Sequence, residues 1–330
     1  MSPASPPPNQ RPRLVALGAA AAVAGAAAAG ALAYRRSKTP GGPDEADQSR
    51  ALGWGALEQP SQRSIHTPDG ADLAVWDVGT GPTVVLSHCW GCSHAVWVPV
   101  ARRLVEAGHR VVLYDQRGHG ATTRGTAPLD LVTLAGDLAA VLEDRDVSDA
   151  VLTGHSMGGM SIMALAAYRP AELAKHIRAV VLVATAAADM SVGSPHLDRF
   201  AARVVGSPLL SRTMRTANGH RFVRGVFGHE PLAAHMDLTR TLFADCDPGV
   251  RGGFLTALSS MNLLEGIATI AVPTTVLIGT RDRLTPPARS QSMVDTIPGA
   301  RLVTLPDKGH MLPLEDPDAV ADEIIRAVKG

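Results

Sequence analysis

The chain has 330 residues, with 31 Lys+Arg balanced by 31 Asp+Glu and a formal net charge of zero. A balanced charge, with no run of basic residues beside aromatics, supplies no field to draw in a polyanion, which argues against nucleic acid as a partner. The length accommodates one large core carrying an inserted subdomain, or two small domains.

In chain order, residues 1–13 are Pro-rich and read as a disordered tail. Residues 14–34, LVALGAAAAVAGAAAAGALAY, contain no charge and are flanked by Arg11 and Arg13 before and by Arg35, Arg36 and Lys38 after. A helix of about 20 apolar residues spans the hydrocarbon core of a bilayer, so this segment is expected to attach the protein to a membrane as an uncleaved anchor. The pattern Ala31-Leu32-Ala33 gives a second reading, a secretory signal cut after Ala33. Ala and Gly are weakly apolar, which makes insertion marginal, and positive charge on both flanks leaves orientation open. Localisation is accordingly read as membrane-anchored or secreted, the side of the membrane left open. Residues 35–60 are rich in Gly, Pro, Asp, Glu and Ser and read as a linker.

From Ile65 onward, short β-branched runs alternate with helical patterns. Strands are expected at 73–77, 83–87, 110–114, 150–153, 179–184, 274–279 and 301–305. The later ones are continuous apolar runs, as strands buried on both faces require. Residues 131–142 place Leu131, Leu134, Leu138, Val141 and Leu142 at helical spacing, and residues 316–329 do the same with Val320, Ile324 and Val328. Alternating strands and helices predict an α/β fold, a mostly parallel sheet covered by helices on both faces. Residues 189–270 contain no convincing strand and are too long for a structureless loop, so they read as an inserted helical cap. The core is then formed by 61–188 and 271–330.

Gly154-His155-Ser156-Met157-Gly158 satisfies G-x-S-x-G, with Gly159 adding a further small residue. A strand at 150–153 leads in and an Ala/Met/Leu-rich helix at 160–168 leads out, which is the context of a nucleophile elbow built on Gly154, His155 and Gly158. A serine hydroxyl is a poor nucleophile until a base takes its proton, and the base needs an orienting carboxylate. Asp282 lies just past the strand at 274–279, and His310 just past the strand at 301–305, ahead of the final helix. Both stand at carboxyl ends of strands, where ligands gather in such sheets. Ser156, Asp282 and His310 are therefore the candidate catalytic residues, with Asp189, past the strand at 179–184, as an alternative acid.

These residues carry a resemblance. From about Ile65 to Gly330 the chain resembles the α/β-hydrolase superfamily. GHSMGG is similar to the elbow of its esterase and monoacylglycerol-lipase branches. Residues 114–120, YDQRGHG, resemble the turn after the fourth strand in many members, and Gly309-His310 with Glu315-Asp316-Pro317 resembles the histidine loop. The resemblance implies the α/β-hydrolase fold with an inserted cap, a Ser-Asp-His triad and no cofactor or metal. It also implies an oxyanion hole made by the backbone N–H groups of Trp90 and Met157, with Trp90 lining the acyl pocket. Cys89 departs from the family pattern, in which this position is usually Gly, and places the oxyanion geometry in question. The expected reaction is hydrolysis of a carboxylic ester, small or lipid-like, through an acyl-enzyme. Cofactor-free perhydrolase or haloperoxidase-type chemistry and carbon–carbon hydrolysis are alternatives. A non-catalytic, membrane-tethered binding protein of the same fold is an alternative of another class.

Two motifs carry competing readings. His88-Cys89-Trp90-Gly91-Cys92-Ser93-His94 has C-x-x-C spacing with flanking His, which suits zinc, a redox pair, or a disulfide that leaves Cys246 unpaired. The preferred reading is two small residues packing a loop. His119, in Arg117-Gly118-His119-Gly120, is read as part of a turn rather than as a second base, as the resemblance implies.

Overall fold

Strand β1 (Gln62–His66) opens the sheet and pairs antiparallel with β2 (Asp72–Val78). The edges and centre follow from β3 (Thr83–Ser87), β4 (Arg110–Tyr114), β5 (Ala150–His155), β6 (Ile177–Val183), β7 (Thr274–Gly279) and β8 (Arg301–Leu305). The computed structural model describes residues 52–55, 60 and 62–330. The tail at 1–13, the apolar segment at 14–34 and most of the linker at 35–60 lie outside the described residues. Among those described, no helix is long and apolar enough to cross a membrane.

The strands form one 8-stranded sheet in the order β1-β2-β4-β3-β5-β6-β7-β8. Every pairing from β4 to β8 is parallel, while β2 meets β4 antiparallel. Successive strand residues point to opposite faces, so the aliphatic runs supply two cores at once. Ala150 and Leu152 enter one core and Val151 the other; Val180 and Leu182 oppose Val181 and Val183 in the same way. The strand missing from the expected set is β1, whose residues QRSIH are mostly exposed at the sheet edge and show no apolar alternation. Its register, Arg63↔Val75 and Ile65↔Leu73, is set by the backbone ladder to β2.

Helix α1 (Val98–Glu106) packs on one face; α2 (Leu131–Asp144), α3 (Met157–Tyr168) and α4 (Pro170–His176) contribute to the core on the other. Asp130 caps α2 by accepting from Thr133 N at 2.8 Å. Between β6 and β7 come α5 (Pro195–Val205), α6 (Pro208–Met214), α7 (Ala217–Arg224), α8 (Ala233–Asp245), α9 (Pro248–Ser259) and α10 (Leu264–Ile267). Ser194-Pro195, Ser207-Pro208 and Asp247-Pro248 each join a capping side chain to a proline in the first turn, which starts a helix cleanly. Helices α11 (Pro287–Thr296), α12 (Leu312–Glu315) and α13 (Pro317–Lys329) complete the chain.

Arg251 on α9 is fully buried and joins three of the inserted helices to its own. Its guanidinium donates to Val205 O at 3.2 Å, to Ser211 Oγ at 2.7 Å and to Phe243 O. Each of its three nitrogens thus has an acceptor, which offsets much of the cost of burying the cation. At the other end of the chain Trp54 is also buried, and Gly53 O accepts from Arg102 Nη1 at 3.0 Å. Packing against the body of the fold therefore begins before residue 60, within the segment expected to be a linker.

Candidate active site

Ser156 follows β5 directly and stands at the N-cap of α3 with φ 53° and ψ −116°. That is a conformation L-residues avoid, at a typical cost of about 1–3 kcal/mol. The helix begins at Met157, three residues earlier than the apolar pattern suggested. The turn is held by Ser156 N donating to Val183 O at 3.0 Å and by Thr185 Oγ1 donating to Ser156 O at 2.7 Å. At Gly158 a Cβ would collide with the carbonyl oxygens of Ser87 and His88, so only glycine lets α3 approach the end of β3.

His310 is nearly buried on the loop after β8. Its Nδ1 donates to Asp282 Oδ2 at 2.8 Å, which leaves Nε2 with its lone pair free to accept a proton. Asp282, on the loop after β7, is itself held by Leu284 N at 2.8 Å, Thr285 N at 2.9 Å and Thr285 Oγ1 at 2.8 Å. Thr285 Oγ1 also lies 3.3 Å from His310 Nδ1. The alternative acid, Asp189, instead lines a small cleft with Leu264 and Arg289. Ser156 Oγ forms no hydrogen bond among the described residues; such nucleophile–base bonds commonly tighten only with substrate in place.

The sequence singles out His155 in the elbow and Glu315 in the histidine loop, but not that both support His310. His155 Nε2 donates to His310 O at 2.8 Å, and the two rings lie 5.1 Å apart. Burial, aided by the nearby His310 ring, holds His155 at a pKa of about 3, so it is a neutral donor. Glu315 accepts from Gly228 N at 2.7 Å, Gly309 N at 2.9 Å and Met311 N at 3.0 Å, bracketing His310 on both sides. Burial pushes the Glu315 carboxyl up, while those three N–H groups oppose the shift. His310 N completes the loop by donating to Val226 O at 2.8 Å.

The backbone N–H groups of Trp90 and Met157 are not taken up by any hydrogen bond among the described residues. His88 Nδ1 donates to Cys89 O at 2.8 Å, while His88 Nε2 accepts from Gln116 N at 2.8 Å. Because a peptide unit is planar, fixing Cys89 O also fixes the Trp90 N–H on the far side of the same unit. Burial keeps His88 neutral, with a pKa of about 4. The Cys89 side chain is buried in the core, and its own backbone φ is not positive. The glycine requirement falls two residues later, at Gly91, where φ is 71° and a Cβ would strike the Phe243 ring. Trp90 packs edge-on against Phe243 and donates from Nε1 to Arg251 O at 3.2 Å, linking this loop to α8 and α9. Trp97 lies fully in the core.

The remaining motif residues are committed elsewhere. Cys89, Cys92 and Cys246 are free thiols, so the disulfide reading of C-x-x-C is not realised. The adjoining Cys89 thiol and burial push the Cys92 thiol well up, which removes the thiolate character a redox pair needs. His94 bonds Asp115 at 3.0 Å and stacks on Trp76, and both His88 nitrogens are used, so the flanking histidines do not converge on the cysteines as zinc ligands would. His119 donates to Arg117 O at 3.0 Å, and burial holds it near a pKa of about 3. It is turn structure, anchored by Arg117 bonded to Asp69 and Asp137.

Residues 84–323 match the family model described as the alpha/beta hydrolase family. The chain is 29% identical over 257 residues to a pimeloyl-[acyl-carrier protein] methyl ester esterase of Xanthomonas campestris pv. campestris, covering 76% of this chain and 96% of that one. It is 24% identical over 284 residues to a bifunctional esterase/perhydrolase of Acinetobacter calcoaceticus, covering 81% and 99%. Among solved structures, an esterase from Exiguobacterium antarcticum superposes with a TM-score of 0.73 at 22% identity, covering 82% of this chain and 100% of that one, a likeness of fold.

Proposed function

The chain belongs to the alpha/beta hydrolase family, and we propose that within it the protein is a serine hydrolase that cleaves a carboxylic ester through an acyl-enzyme on Ser156. The observation that carries the reading is the Asp282–His310 pair, 2.8 Å apart and oriented so that His310 Nε2 is the free base. In this mechanism His310 takes the Ser156 proton as the hydroxyl oxygen attacks the ester carbonyl. The N–H groups of Trp90 and Met157 receive the oxyanion, each such donor being worth typically about 2.7–4 kcal/mol in the transition state. His310 then gives its proton to the leaving alkoxide. Water, deprotonated by the same base, releases the carboxylic acid and restores Ser156.

A lipid-like ester is the preferred substrate class. Leu197, Phe200 and Val204 recur at helical spacing on the outer side of α5, and Leu209 on α6 is 70% exposed. Solvent-facing helix surfaces are normally polar, and an apolar stripe flanked by Arg199 and Arg203 suits acyl chains with an anionic headgroup. The relative named as an esterase/perhydrolase supports a second reading, in which hydrogen peroxide replaces water in deacylation and the product is a peracid.

Hydrolysis of p-nitrophenyl esters of graded acyl length, alongside fluorophosphonate labelling of the wild type and Ser156→Ala, tests the proposal. The expected result is stoichiometric labelling and turnover of the wild type, both lost in the variant, with rates rising towards longer chains. A folded wild type that neither labels nor turns over any ester would overturn the reading and favour a binding protein of the same fold.

A further inference from the structure

We propose that Glu143, Glu172 and His176 form a binding site for a divalent transition-metal ion of the zinc type, separate from the candidate active site. Glu143 lies at the end of α2, Glu172 on α4, and His176 at the last position of α4, immediately before β6. Among the described residues this is the one group of three His, Cys, Asp or Glu side chains with ligand atoms gathered closely enough, all within 4.8 Å of one another.

The argument turns on His176. Its side chain is only 5% exposed, and its Nδ1 donates to Val147 O at 2.5 Å. In the neutral ring Nε2 then carries a lone pair. That atom is buried and has no hydrogen-bond partner, yet it lies 3.4 Å from Glu143 Oε2 and 3.6 Å from Glu172 Oε2. Three electron-rich atoms thus lie within 4.8 Å of one another, an arrangement that favours a positive charge among them. Two ligands about 2.1 Å from a tetrahedral ion are roughly 3.4 Å apart, which matches both separations. A metal-binding histidine typically donates its other N–H to a carbonyl or carboxylate, and the Val147 bond supplies that orientation. Imidazole with two carboxylates suits Zn²⁺, Co²⁺ or Mn²⁺ better than Mg²⁺ or Ca²⁺.

Lys175 Nζ now contacts Glu143 Oε2 at 2.5 Å, with both side chains more than half exposed. It can swing into solvent at little cost, so it competes with the ion without blocking it. The site lies at the amino-terminal ends of β5 and β6, whereas Ser156 follows the carboxyl end of β5. A bound ion would therefore clamp α2, α4 and the turn carrying Val147, acting on stability rather than on chemistry.

Titration calorimetry of the full chain with ZnCl₂ tests this, with Co²⁺ absorption reporting the coordination geometry. The expected result is one saturable equivalent with tetrahedral Co²⁺ bands and a higher Tm on adding zinc. Glu143→Gln and Glu172→Gln, at positions exposed enough to keep the fold, each weaken binding by at least about tenfold, and Lys175→Ala tightens it. Absence of saturable binding, or equal binding in the wild type and both Gln variants, would overturn the proposal. The cluster would then be a contact between a histidine and two carboxylates only.

Discussion

His155 Nε2 donates to the carbonyl oxygen of His310 at 2.8 Å, joining the residue just before the candidate nucleophile to the candidate base across 155 positions of sequence. The bond fixes the backbone of His310 rather than its ring. Trp97 packs edge-on against His155, with ring centroids 6.2 Å apart, and both rings are fully buried, so the imidazole has little freedom to move.

His155→Leu is therefore expected to lower kcat by about tenfold to a hundredfold with little change in KM, since small misplacements of a reacting group carry costs of that order. His155→Gln, which keeps a donor at similar reach, recovers part of the loss. Steady-state kinetics on a p-nitrophenyl ester check this. A parallel rise in KM with unchanged kcat would argue against a positioning role.

Ser156→Gly is expected to raise stability while abolishing turnover. The φ of 53° costs serine energy that glycine avoids, and the gain is about 1 kcal/mol after glycine's greater backbone entropy is counted. Urea midpoints of the two proteins measure it; a midpoint lower than wild type would show that the turn is not strained.

Glu315→Gln replaces a carboxylate oxygen by an amide N–H facing backbone donors. With three N–H groups converging on this side chain, at least one loses its partner, at about 1–3 kcal/mol. The expected outcome is a lower urea midpoint together with reduced kcat, because Gly309 and Met311 flank His310. Unchanged kcat in a destabilised protein would separate this anchor from catalysis.

Acid should unfold the protein earlier than its carboxylates alone require. Burial, the largest cause in each case, holds His88 and His235 at a pKa of about 4 and His119 and His155 at about 3, against 6.5 for a free ring. Above 6.5 these rings are neutral in both states and stability is full. As pH falls below 6.5 the unfolded chain takes up protons that the folded one refuses until about 4 to 3, so stability is lost through that window. Each ring contributes roughly 1.4 kcal/mol per pH unit within it. Urea midpoints between pH 8 and pH 5 check the slope, and His235→Leu should flatten it by about one proton. A midpoint that does not move between pH 6.5 and 5 would refute the expectation.

Much of this protein was legible before folding. The spans expected at 83–87, 110–114, 274–279 and 301–305 coincide with β3, β4, β7 and β8. Each is a short run of apolar and β-branched residues, a local pattern that marks a strand whether it is buried like β7 or, against expectation, only partly buried at the sheet edge like β8. The elbow was legible for the same reason, since a strand, G-x-S-x-G and a helix are one contiguous segment. Strand β1 was missed because its stability comes from pairing with β2 at an exposed edge and not from its own side chains.

The sequence by itself determined what short-range patterning can encode: the α/β class, the placement of Ser156 on a sharp turn, and Asp282 and His310 as candidates just past strand ends. Only the tertiary structure decided which partners those groups have. That His310 meets Asp282 rather than Asp189, that His155 and Glu315 brace its loop, that Arg251 joins the inserted helices, and that His176 faces two glutamates all depend on contacts between distant segments. Such contacts form when apolar burial brings distant elements together. Buried polar groups then require partners wherever the packing places them, and no local pattern in the chain records where that is.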